Sequence, residues 1–189
     1  MAGMSRRKAR LIFSLLVTLI IAATVLVTPK QGIQNMLPAQ TTAPGFYKVT
    51  KVYDGDTIAV AMNNTEEKVR LIGVDTPETH KPDTPVQCFG PQASDFSTNA
   101  LQGQNVRLEA DPLGDNRDRY DRLLRYVYLA DGTLWDKKLI EQGYGFAYLS
   151  FPFSHSDEFA AAQTQAQAEH KGLWATCQPT YKSGRWQSN

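Results

Sequence analysis

Residues 47–78 read YKVTKVYDGDTIAVAMNNTEEKVRLIGVDTPE. Within that stretch Tyr47–Tyr53, Thr57–Met62 and Lys68–Ile72 are rich in Val, Ile, Thr and Tyr and are separated by polar pairs, the pattern of successive short strands. Asp54-Gly55 between the first two is a hairpin signal, because glycine accepts positive φ and aspartate tolerates it, and Asn63-Asn64 turns the second run into the third. Further along, Val106–Glu109 and Leu124–Leu129 supply two more strands. Helical stretches are fewer: Pro91–Leu101, Leu134–Gln142 and Asp157–Lys171, each followed by a glycine stop at Gly103, Gly143 or Gly172. Three strands, a helix, two strands and two helices make a small α+β domain, and five strands in antiparallel pairs suit a compact barrel. Periodicity alone leaves an open sheet as the alternative.

Toward the N-terminus, Leu11–Val27 is an uncharged apolar run placed directly after the basic cluster Arg6-Arg7-Lys8-Ala9-Arg10. About 17 such residues are the lower limit for crossing a bilayer, so the run reads as a transmembrane helix, with a signal-peptide core as the alternative. No small-x-small cleavage pattern follows at Thr28–Gly32, which favours an anchor. Basic flanks stay inside, so residues 1–10 are expected in the cytoplasm and Thr28 onward beyond the membrane. Cleavage would instead make the protein secreted. Residues 28–44 read as a linker, 45–177 as the folded domain and 178–189 as a C-terminal tail. No protein partner is expected, and the domain reads as a monomer.

The formal charge of +1 hides a split, because from Gly45 onward fifteen basic side chains face nineteen acidic ones. A protein that holds nucleic acid by charge alone carries a basic excess. Here a few placed arginines and a bound cation must do that work locally, against an acidic background. Cys88 and Cys177 are the two cysteines, without a C-x-x-C or a nearby histidine at metal-ligand spacing, which argues against zinc. Outside the cell they would pair; two separate buried thiols are the alternative.

The chemistry gathers at strand ends. Asp56 follows the first turn and Asp75 follows the third strand, so their carboxylates converge if those strands are neighbours. Two carboxylates, a backbone carbonyl and water suit a hard cation such as Ca2+. Glu78, three residues beyond Asp75 and past a proline, is placed to take a proton from a water beside the metal. Arg70 and Arg122 form a guanidinium clamp suited to a phosphate diester. By contrast Ser154-His155-Ser156-Asp157 reads as a helix cap rather than a catalytic triad, since triad members converge from distant positions.

Three ordered segments, Asp54-Gly55-Asp56-Thr57, Arg70 to Glu78 as RLIGVDTPE and Asp118 to Leu123 as DRYDRL, resemble the signatures of the staphylococcal nuclease family. The resemblance runs from about Tyr47 to Trp174. It implies an OB-fold five-stranded β-barrel with three helices and Ca2+-dependent hydrolysis of phosphodiester bonds in DNA and RNA. It also implies that Asp56, Asp75 and the carbonyl of Thr76 hold the metal, that Glu78 activates water, and that Arg70 and Arg122 bind the phosphate. Tyr120 and Tyr148 would line the nucleotide pocket, where bases stack on aromatic rings. Exported relatives of this kind carry a cysteine pair flanking the first and last helices, as Cys88 and Cys177 do. One departure is Asp121, which stands where the family commonly has glycine. The competing function is a catalytically inactive OB-fold module that binds nucleic acid or protein at the membrane; retention of all five charged positions argues against it.

Overall fold

A computed structural model of the chain describes residues 45–79 and 85–188. The expected membrane segment 11–27, its basic flank and the linker lie outside the described residues. Among the described residues no helix is long and apolar enough to cross a membrane.

In chain order the elements are β1 (Phe46–Val52), β2 (Thr57–Met62), β3 (Thr65–Leu71), β4 (Val74–Asp75), α1 (Gly90–Leu101), β5 (Asn105–Glu109) and β6 (Leu123–Tyr128). Then come α2 (Trp135–Glu141), β7 (Phe146–Ala147), α3 (Ser156–Ala168), α4 (Leu173–Thr176), β8 (Thr180–Lys182) and β9 (Arg185–Gln187). Five strands close a barrel in the order β1-β2-β3-β6-β5, which settles the choice between barrel and open sheet.

The expectation of antiparallel pairing throughout is corrected at one seam, where β3 runs parallel to β6 with Val69 opposite Leu123 and Arg70 opposite Leu124. Parity requires it. Direction cannot alternate around a closed ring with an odd number of members, so one neighbouring pair must share a direction. The other four pairings are antiparallel.

Inside the barrel, Val49, Ile58, Val60, Val69, Leu71, Val106 and Val127 form a continuous apolar core, which Leu101, Leu139, Ile140 and Phe159 from the helices extend. The Asn63-Asn64 turn is as expected, with both residues at positive φ between Met62 and Thr65. Helix α1 opens with Pro91 in its first turn, where the missing N–H costs nothing. The cap expected at 154–157 does not form: α3 has no side-chain cap, and the Ser154 hydroxyl and N–H are both bonded to Asp111.

Cys88 and Cys177 are disulfide-bonded with Cα atoms 6.0 Å apart, so the expected pairing is present and α4 is tied to the start of α1. Beyond the bridge, the stretch read as a tail contains the hairpin β8–β9. Trp186 of that hairpin packs against Phe146 and edge-on against Trp174, and the Ser188 hydroxyl donates to the Cys88 carbonyl. Strand β4 pairs with β7, placing Asp75 opposite Phe146. The hairpin therefore packs on the short ribbon that carries Asp75.

Candidate active site

The Asp54-Gly55-Asp56 segment leaves β1 and enters β2 as a tight corner, in which the Asp56 N–H donates to Asp54 Oδ1 at 3.1 Å. The expected hairpin between β1 and β2 forms, but not through the expected conformation, because Gly55 does not adopt positive φ. Its requirement is space: a Cβ at that position would lie 2.7 Å from the Thr76 side chain. That close approach lets Asp56, only 5% exposed, accept from the Thr76 N–H at 2.7 Å and from its hydroxyl at 3.0 Å through one oxygen, Oδ2. The other oxygen faces the Thr57 hydroxyl at 3.2 Å and Arg70 Nη1 at 3.2 Å.

Arg70, at the end of β3 and opposite Thr57 on β2, stands between the two carboxylates. Its Nη2 reaches Asp75 Oδ1 at 3.1 Å, and Nη1 also donates to the Val74 carbonyl at 2.8 Å. Burial opposes its charge, yet the carboxylates of Asp56, Asp75 and Asp54 hold its proton more tightly than usual. Two of the acids also bind a proton more tightly than usual, at the expense of their own charge. Burial, with repulsion from Asp56, raises Asp54 to about 7 despite Arg70. Asp75 rises to about 6, again chiefly through burial, while Arg70 and, more weakly, Arg185 pull it down.

Glu78 follows on the same loop. Its N–H donates to Gln87 Oε1 at 2.9 Å and its carbonyl accepts from the Gln87 N–H at 2.9 Å.

The second guanidinium arrives across the seam. Arg122 immediately precedes β6, its Nε donates to Asp118 Oδ2 at 2.7 Å, and its Nη1 approaches the Thr57 hydroxyl at 3.5 Å. Burial pushes Asp118 up, but bonds from the Arg122 side chain and from the N–H groups of Arg122 and Tyr120 win and hold it below the usual carboxylate range. Asp121 sits at φ 63°, a left-handed conformation that glycine adopts freely and aspartate tolerates, so the turn before Arg122 keeps its shape.

All of these groups face one cleft of about 920 Å³, at the upper end of the range for ligand sites. Asp56, Asp75, Glu78, Arg70, Arg122, Tyr120 and Tyr148 line it together; Thr76 is buried behind Asp56. Tyr120 is 64% exposed, with its ring between Arg119 and Arg122, and Tyr148 meets Phe151 edge-on at 5.0 Å. Several charged members were given no role from the sequence, Asp54, Asp118 and Arg185 among them. Asp54 was legible as a turn residue within a signature segment. Asp118 had a signal, an acid four residues before Arg122. Arg185 had none, since the hairpin reaches the cleft through tertiary packing.

The family model described as staphylococcal nuclease homologue matches residues 68–176. A thermonuclease of Staphylococcus hyicus is 44% identical over 130 residues, covering 68% of this chain and 75% of that protein. A thermonuclease of Staphylococcus intermedius is 43% identical over 127 residues, 67% of this chain and 73% of that protein. Endonuclease YncB of Bacillus subtilis is 37% identical over 127 residues, 66% and 59% of the two chains. By its matched segment, its identity to these relatives and the barrel it forms, this chain belongs to the staphylococcal nuclease family.

Proposed function

We propose that the chain is a Ca2+-dependent endonuclease that hydrolyses phosphodiester bonds of DNA and RNA. The observation that carries this reading is the convergence, at one barrel rim, of Asp56, Asp75, Glu78, Arg70 and Arg122 in a cleft flanked by Tyr120 and Tyr148. The relatives bear the names thermonuclease and endonuclease, which supports the same chemistry here.

The donor set fits a hard divalent cation. Asp54, Asp56 and Asp75 crowd around a single guanidinium, and burial and mutual repulsion raise the proton affinity of Asp54 and Asp75. Among the described residues no three acidic, histidine or cysteine side chains stand together at ligand spacing. The shell in this reading is two carboxylates, Asp56 and Asp75, with the Thr76 carbonyl and water. When bound there, Ca2+ supplies a Lewis acid that neutralises phosphoryl oxygens and makes a nearby water more acidic.

The chain's own residues do the rest. Glu78, its backbone fixed by Gln87, accepts a proton from the attacking water. Arg70 and Arg122 donate to the non-bridging oxygens as negative charge grows on them, from positions already held by Asp75 and Asp118, so little reorganisation is needed. Tyr120 and Tyr148 offer flat faces to bases without choosing among them. We also place the domain beyond the membrane that residues 11–27 span, as a monomer; support for that comes from the sequence, in the basic cluster before the apolar run.

The test is release of acid-soluble nucleotides from single-stranded DNA, double-stranded DNA and RNA by the full chain in mild detergent, with Ca2+ and with chelator. Cleavage that chelator abolishes and Ca2+ restores is expected. No cleavage by folded, Ca2+-replete protein would transfer the reading to a binding module.

A further inference from the structure

The cleft contains five arginines, and four of them are already engaged. Arg70 is held by Asp56 and Asp75, Arg117 by Glu67, Arg119 by the Tyr120 hydroxyl and Arg122 by Asp118. Arg185 is exposed, and among the described residues its guanidinium makes no hydrogen bond or ion pair.

Its backbone, in contrast, is fixed. Arg185 begins β9 and pairs with Lys182 of β8. Its neighbour Trp186 packs on Phe146, the residue opposite Asp75, and the Gly184 carbonyl accepts from the Ser150 hydroxyl at 3.1 Å. The disulfide at Cys177 clamps the chain just before the hairpin starts. A free cation on a fixed strand, lining the same cleft as Asp75 and Glu78, is what an incoming phosphate requires. Although the surrounding cleft is rich in carboxylates and Arg185 acts on Asp75 at a distance, its guanidinium has no hydrogen bond or ion pair among the described residues to give up when it meets a polyanion.

Resting on the nuclease reading above, we propose that Arg185 binds the backbone phosphate adjacent to the scissile one, so that this chain favours polynucleotides over substrates with a single phosphodiester. The family match ends at residue 176, so the hairpin and its arginine lie outside the matched segment. Arg185 is thereby a substrate-binding residue and takes no part in proton transfer.

The experiment compares the full chain with its Arg185→Ala and Arg185→Lys variants on two substrates. One is a single-stranded DNA decamer; the other is the nitrophenyl ester of thymidine 5′-phosphate, which has one phosphodiester. With Arg185→Ala, KM for the decamer is expected to rise on the order of five- to ten-fold, with kcat within about two-fold and the ester unaffected. Decamer binding in the Glu78→Gln background with Ca2+, followed by fluorescence anisotropy over a salt series, should weaken similarly and lose about 0.7 from its log–log salt slope. Arg185→Lys should keep that slope, because the charge remains. An Arg185→Ala protein with unchanged decamer affinity and slope would overturn the proposal. So would a change confined to a higher Ca2+ requirement, which would mean that Arg185 acts only on Asp75. Normal decamer binding without any cleavage by the unmodified protein would sink the nuclease reading, while the binding series would still decide the role of Arg185.

Discussion

Glu78 and Gln87 hold one another through two reciprocal hydrogen bonds, each 2.9 Å, so the loop that presents the Glu78 carboxylate is braced from the residue beside Cys88. The brace acts on backbone and leaves the carboxylate available. Gln87→Ala should therefore lower kcat roughly ten-fold through misplacement of Glu78, with KM and melting temperature nearly unchanged. A matching rise in KM would show that Gln87 serves binding rather than positioning.

Glu78→Gln removes the proton acceptor while preserving size and most polar contacts. Turnover is expected to fall on the order of 10²- to 10⁴-fold, with little change in the affinity for DNA. Steady-state kinetics beside a binding isotherm will separate the two. Equal turnover in the variant would end the general-base assignment.

Arg70→Lys and Arg122→Lys keep the charge and lose the fork. Each should reduce kcat by about 10²-fold or more, because a point charge cannot make the paired bonds to a diester in its transition state. Arg122→Lys should also release Asp118, whose carboxylate would lose the 2.7 Å bond from Nε. Carboxyl chemical shifts read by NMR through a pH titration should then show Asp118 moving up toward the ordinary range.

Replacing both Cys88 and Cys177 by serine opens a loop whose ends are 89 residues apart. The loss of stability is expected to be about 2–4 kcal/mol, read from denaturant unfolding under conditions where the native bridge stays oxidised. Unfolding midpoints that coincide would mean the bridge contributes nothing to the folded state.

Asp136 is fully buried in α2, with Oδ2 accepting the Val127 N–H at 2.9 Å and Oδ1 without a hydrogen-bond partner among the described residues. Burial raises it from 3.8 to about 8. A carboxyl whose folded value lies above its unfolded value stabilises fully below the lower figure. Stability is then lost as pH rises between about 4 and 8, because the unfolded chain releases its proton first. Asp136→Asn removes that dependence. It should be close to neutral at pH 4 and stabilising by on the order of 5 kcal/mol at pH 8, measured as the difference in unfolding free energy across that window. A constant difference at all pH values would refute the assignment.

Strand runs and their order were readable because barrel strands alternate faces and end in polar turns, and the charged residues were readable because they cluster at those ends. Asp56, Asp75, Glu78, Arg70 and Arg122 all meet in the cleft where their local positions suggested. The seam was not readable, since a parallel pairing of β3 with β6 leaves no mark in either strand alone. The β8–β9 hairpin was missed for a related reason. Its strands have three residues each, and what holds them is Trp186 against Phe146 and Trp174, contacts made across the fold. Gly55 looked like a turn former by type, whereas its need is to leave room for Thr76.

The parallel seam also bears on when the site comes into existence. Arg70 lies next to the end of one of its strands and Arg122 precedes the other, so about fifty residues of chain separate the two sides of the seam. Contacts of such separation are the slow ones to form. A chain that has not yet closed its barrel carries every signature segment and yet has no clamp. Recovery of phosphodiester cleavage during refolding would then report closure of the last gap in the ring, and a cell making this protein would be shielded from it by topology alone until the barrel shuts.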